Sequence, residues 1–283
     1  AMVAAQHGVH LPLGFITHGG YDITRGTVSR TRVNNLDALR RIAFPLRINN
    51  DWNHMAESAF ARVLRFHDAR RRRQLAKQTL PRLRDSIQKM VDSRGEDNEL
   101  ATLVDVLPDL GQFATVIGRQ AAVAIAGYRA GMTVSANLAI GGFDTHSNHD
   151  VTQAAALGNL TDGLNELWNE VERHGLADRV VVVVSSDFGR TPGYNEGNGK
   201  DHWPVTSMLA FGAGISGNRV VGLSDGGHRA LPVNPQTFQP DADGVVITPG
   251  HVHGALRTMG GITNEDLLSN YPIQGDVLPI LTG

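Results

Sequence analysis

The chain has no cysteine. Disulfides, thiolate metal sites and a cysteine nucleophile are thereby excluded, although the compartment is not fixed by that absence. It also lacks any run of 18 apolar residues, so no segment reads as a membrane-spanning helix. The formal charge is −2 over 283 residues, which gives no electrostatic case for nucleic acid. The basic run Arg70 to Arg73 lies in a long polar helical stretch and reads as a solvated face. No signal peptide, internal repeat or low-complexity tract is visible.

What is present is ordinary globular composition, 41% hydrophobic and 19% charged, with an unusual supply of 12 histidines and 32 glycines. Most histidines stand in loops beside Gly and Asp. A core histidine more often sits in an apolar periodic run, so this distribution points toward ligand chemistry.

Periodicity divides the chain near residue 131. Residues 1–131 read as mostly helical with one short strand, LPLGFI (11–16), ending at Thr17-His18-Gly19-Gly20. Residues 21–35 read as irregular, and 36–47 as one short helix. Apolar spacing of three and four from residue 51 to 91, at Phe60, Val63, Leu64, Leu75, Leu80, Leu83, Ile87 and Met90, predicts helix, with Pro81 starting a second helix. Residues 110–130 predict another helix, closed by Gly131 in the position after its cap. From 132 to 283 the pattern is α/β: strand 134–140, an amphipathic helix over 148–174, the β-branched run 179–185, a Gly/Asn-rich loop over 189–203, strand 205–212 and a helix over 250–259. Strands rich in valine on both faces imply a central, mostly parallel sheet with helices on both faces. The two portions are read as one continuous domain.

Open α/β sheets bind ligands at the carboxyl ends of their strands, and three polar clusters fall there. GGFDTHSNHD places Asp144, His146 and His149 on a short glycine-led loop; a carboxylate with imidazoles suits Zn²⁺ or Mn²⁺. The bland alternative is a turn begun by Asp144 and an exposed His149. SSDFGRTP places Asp187 at the end of the valine strand, with Arg190 three residues on. That guanidinium suits clamping of phosphate or sulfate oxygens; otherwise Asp187 caps a helix and Arg190 pairs with a neighbouring acid. GNGKDHWP supplies Asp201 and His202. Asp201 either ligates or orients a histidine through its second ring nitrogen. Carboxylates of Asp144, Asp187 and Asp201 gathered in one pocket need a cation, a proton or a basic partner between them. His18, His251 and His253 are weaker candidates, and His54, His67 and His228 have no supporting context.

GGFDTH, SDFGRT and NGKDH, in this order, resemble the family called domain of unknown function 1501, most closely over residues 110–223. The family is placed in the alkaline-phosphatase and sulfatase superfamily. The resemblance implies an alkaline-phosphatase-like fold and a divalent metal, zinc first, with Mn²⁺ or Ca²⁺ as alternatives. On the resemblance Asp144, His146, Asp187 and His202 match the family's metal ligands; the residue reading adds Asp201 as a further candidate ligand and Arg190 as the catalytic candidate. The resemblance further implies hydrolysis of phosphate or sulfate esters on a small or polymeric substrate, and a periplasmic or secreted location. Phe188 departs from the superfamily, which often has histidine there. No counterpart of its opening metal-binding Asp and Ser, Thr or formylglycine nucleophile occurs in residues 1–50. The expectation is therefore a chain that begins partway through the fold or one that has lost turnover, and no nucleophile is assigned. The alternative function is a binding or scaffold protein that retains the fold.

Overall fold

The structure is a computed structural model describing residues 1–8, 10–20, 22–33, 43–44, 54–92 and 99–282. It is a mixed α/β structure that divides into two compact units, one centred on residues 3–113 and 119–139 and the other on 114–118 and 140–283.

The first unit is built on a small parallel sheet. Strand β1 (Phe15–Thr17) lies between β2 (Arg30–Arg32) and β3 (Ser135–Asn137), with Phe15 opposite both Arg30 and Ser135. All three β1 residues are buried, as expected of a central strand. Strand β2 falls in the stretch that the sequence reads as irregular. Its Arg-Thr-Arg carries no hydrophobic signal, and pairing with β1 alone makes it a strand. Helix α1 (Met2–His7) contributes Ala4 to a small cluster with Phe15 and Val28. The main core joins Leu13, Ile16, Val33, Leu103, Val123, Ala126 and Met132.

Helices α2 (Glu57–Lys77) and α3 (Pro81–Asp92) follow the predicted periodicity, and Pro81 does start a helix; α4 (Glu99–Val106) falls where the sequence reading places none. That apolar spacing does not yield a buried face: Val63, Leu64, Leu80 and Leu83 are exposed, as is Phe66 beside them, and among the described residues the only buried one of α2 is Arg71. That corrects the reading of the arginine run as wholly solvated: Arg71 donates to Asp68 Oδ1 at 3.1 Å. The expected helix over 36–47 falls almost wholly outside the described residues.

Helix α5 (Val116–Arg129) begins later than the periodicity suggests, because Leu110–Gln112 forms a separate 3₁₀ turn capped by Asp109. Its end is as expected. Gly131 has φ +71°, and Met132 N–H reaches back to the Gly127 carbonyl, the paired closure that an αL glycine permits.

The second unit carries the longest helix, α6 (His149–Arg173). Ala156, Leu167 and Val171 are buried as the 3.6-residue pattern requires, and Gly163 shares their face because a Cβ there would stand 2.7 Å from Ile117 Cβ. Glu166 from the same helix accepts from the N–H groups of Ala114 and Thr115, satisfying donors at the start of α5.

Glu170 is the buried exception on α6. It accepts from Arg173 Nε at 2.8 Å and His174 Nε2 lies at 3.0 Å. Burial pushes its pKa up, but Arg173 and His174 outweigh burial, and the net shift is downward. A carboxylate held below its unfolded pKa stabilises the fold above that value, and the contribution is lost as pH falls through the folded pKa. We expect Glu170→Gln to cost about 1–3 kcal/mol near neutrality. In urea titrations the gap between variant and wild type should close below about pH 4. A gap constant from pH 7 to pH 3 would rule this account out.

The valine run corrects the sequence reading. Strand β4 (Val181–Val184) is not part of the parallel sheet. It pairs antiparallel with β7 (Leu209–Gly212), Val181 opposite Gly212, and Val181 and Val183 are 38% and 36% exposed. β-branched residues specify extended backbone; they do not specify which strand pairs with them or in which direction. Trp168 of α6 meets Phe211 of β7 edge to face. A second core cluster joins Ala255 of α7 (Pro249–Met259) to Leu278, Ile280 and Leu281, and a short helix α8 (Glu265–Asn270) precedes that segment. Strands β8 (Leu223–Ser224) and β9 (Ala230–Leu231) form a minor hairpin.

Candidate metal centre

The Gly/Asn-rich stretch 189–203, read as a loop, holds the frame of the site. Strand β5 (Gly189–Arg190) and β6 (His202–Trp203) pair antiparallel, Arg190 directly opposite His202. Directly opposed residues project to one face of a hairpin. Phe188, two residues before Arg190, shares that face and stacks on the His202 ring at a centroid distance of 3.8 Å.

Between these strands Asn195 folds the turn upon itself. Its Oδ1 accepts from Gly197 and Gly199 N–H, and its Nδ2 donates to the His146 carbonyl and to Asp201 Oδ1, both at 3.1 Å. The turn then pairs with the 144–149 loop: Lys200 N–H donates to Thr145 O, Asn148 N–H to Gly197 O and His149 N–H to Asn198 O. Gly199 allows this approach, since a Cβ there would fall 1.9 Å from the His146 carbonyl.

The result brings Asp144, His146 and His202 together, with one ligand atom from each lying within 4.8 Å of the others. His146 Nε2 is 3.0 Å from Asp144 Oδ1 and 3.1 Å from His202 Nε2, and His202 Nε2 is 3.7 Å from Asp144 Oδ1. Ligands about 2.0–2.1 Å from a tetrahedral ion stand about 3.3–3.4 Å from each other, so the triangle has the right size.

The tautomer of His146 follows from its partners. Its Nδ1 lies 3.1 Å from Asp201 Oδ1, so Nδ1 carries the proton and donates. Nε2 then faces Asp144 Oδ1 at 3.0 Å, His202 Nε2 at 3.1 Å and Arg190 Nη1 at 3.4 Å. Asp201 thus takes the orienting role rather than joining the triangle, and it orients His146.

Arg190 stands behind the triangle. It donates to Asp144 Oδ1 at 2.9 Å, to the Phe143 carbonyl at 2.7 Å and to the Lys200 carbonyl at 3.0 Å. Its hydrogen bond holds the Asp144 carboxyl below the ordinary carboxylate range, helped by His146 and His202. Asn195, then His146, do the same for Asp201. Both carboxylates are therefore kept ionised, through basic or amide partners.

Asp187 stands outside the group that the sequence assigned to it. It is exposed and does not belong to the triangle. It sits at the bend between β4 and β5 rather than in either strand. His149 is tied instead to Thr145 Oγ1 at 2.7 Å. His251 closes a capping box with Thr248, and His228 offers its carbonyl to Trp203. His18 Nδ1 faces the Val33 carbonyl within the first unit. Sequence reasoning missed Asn195 and Gly199. The Asn-Gly pair at 198–199, a strong turn signal, marked the hairpin that contains them.

No curated protein and no solved structure matches the chain. A family profile described as a protein of unknown function (DUF1501) matches residues 22–243. That span includes every residue of the site, and the chain belongs to the DUF1501 family.

Proposed function

We propose that the protein binds a divalent cation, zinc first, through Asp144, His146 and His202, and acts as a metal-dependent hydrolase of phosphate or sulfate esters with an alkaline-phosphatase-like fold. The observation that carries the metal reading is the triangle of two imidazole nitrogens and one carboxylate oxygen with sides of 3.0, 3.1 and 3.7 Å. The ester reading rests on the resemblance of the three motifs. A bound cation would polarise the ester oxygen and lower the pKa of a water. Asp201 holds the His146 ring so that Nε2 faces inward. Arg190 keeps Asp144 ionised and brings positive charge to the edge of the site. Export from the cytoplasm is proposed on the resemblance alone.

One observation favours a binding or scaffold protein instead. Arg190 already has Asp144, two carbonyls and His146 as acceptors, so it would have to exchange partners to clamp an ester oxygen. The test is hydrolysis of 4-nitrophenyl phosphate and 4-nitrophenyl sulfate by the zinc-loaded protein. Zinc-dependent turnover of either, lost in Asp144→Asn, is the expected result. Stoichiometric zinc without turnover of either ester would establish the binding reading in its place.

A further inference from the structure

The second unit holds another polar constellation, which the metal centre does not use. A cleft of about 610 Å³ runs beside α7, lined by Gly250, His253, Arg257, Pro272, Ile273 and Gln274. That size falls among small-molecule sites. Its wall is set by close backbone approach. A Cβ at Gly250 would lie 3.0 Å from the Gln274 carbonyl, and one at Gly275 would lie 3.0 Å from His251 Nε2.

His253 and Arg257 are four residues apart, so they share one face of the helix. Arg257 is half-buried, and among the described residues no carboxylate or carbonyl pairs with its guanidinium. The contrast with other arginines of this unit is direct. Arg190 and Arg173 hold carboxylates, and Arg219 donates to the carbonyls of Ser216 and Ile280. Burial pushes the Arg257 pKa below its ordinary value. A partly shielded guanidinium with no counter-charge beside it is a ready partner for an anion. Pro272 and Ile273 add apolar surface for an organic body.

We propose that this cleft is a binding site for a small organic oxyanion, gripped by Arg257 in bidentate fashion and by His253 at its rim. The bidentate fork suits carboxylate and phosphate alike. The proposal is independent of the metal reading.

The test titrates the full chain, in the presence of chelator, with phenyl phosphate and with benzoate by calorimetry. We expect saturable binding of at least one; a preference for one of them identifies the anion class. Arg257→Gln should weaken that binding by about tenfold or more, and Arg257→Lys by less, because the fork is lost but the charge kept. His253→Ala should weaken it several-fold. Ligand-free Arg257→Gln should melt no lower than wild type, since an unpaired charge is removed rather than a structural contact. Absence of binding by both probes up to about 10 mM, unchanged binding in Arg257→Gln, or a lowered melting temperature in that variant would overturn the proposal.

Discussion

His202→Ala is expected to weaken zinc binding by more than about 100-fold, because even a residue that only orients a ligand is worth about 10–100-fold. His202 supplies one of three inward atoms, and its partner ring lies 3.1 Å away. With it gone, a single imidazole and one exposed carboxylate remain, a pair that any surface can offer. Asp201→Asn should fall in the 10–100-fold range itself, since it loses the charged acceptor that fixes the His146 tautomer. His228→Ala should change nothing, because only its backbone carbonyl contacts Trp203. Asp187→Asn should also retain most zinc, as its exposed side chain stands outside the triangle. Elemental analysis and zinc titration of the purified variants measure all four. Wild type that holds no zinc, or His202→Ala that holds as much as wild type, would remove the metal centre.

Gly199→Ala should destabilise the protein by about 2–4 kcal/mol, at the upper end of ordinary single substitutions, and abolish zinc binding with it. The added Cβ would sit 1.9 Å from the carbonyl carbon and oxygen of His146. Those are backbone atoms, so no side-chain rotation relieves the overlap. The two loops must separate, and the Lys200–Thr145 and His149–Asn198 hydrogen bonds go with them. Asn195 then loses its contact with the His146 carbonyl, and the ring is no longer held toward Asp144. Gly193→Ala is the control, because a Cβ there meets nothing within 4 Å. Urea denaturation and zinc titration of both variants read the outcome. Gly199→Ala with wild-type stability would show that the loop approach is not needed.

Three of the candidate ligands named by the sequence motifs lie together in the fold. Asp144, His146 and His202 stand in glycine-bearing motifs, and side chains with ligand atoms in such loops are available to one another once the loops meet. Asp187 shows where that reasoning stops. It occupies a position that looks equivalent in sequence, but it lies at the bend between β4 and β5, where sequence pattern does not specify which way a side chain points. Arg190 was expected either to clamp a substrate or to pair with a neighbouring acid; it pairs with Asp144.

The sequence alone determined the existence and type of the periodic elements. Helices α2, α3 and α6 and the closure of α5 at Gly131 follow from spacing, proline and glycine chemistry, which act over a few residues of chain. Only the tertiary structure decided what those elements meet. The valine run became an antiparallel ladder with β7, and Arg-Thr-Arg became a strand through β1. Only the fold, too, set Arg190 opposite His202 and brought Gly199 against His146. Local propensity depends on a residue and its near neighbours. Pairing partner, direction and register depend on free-energy differences between whole arrangements, in which contacts tens of residues apart decide.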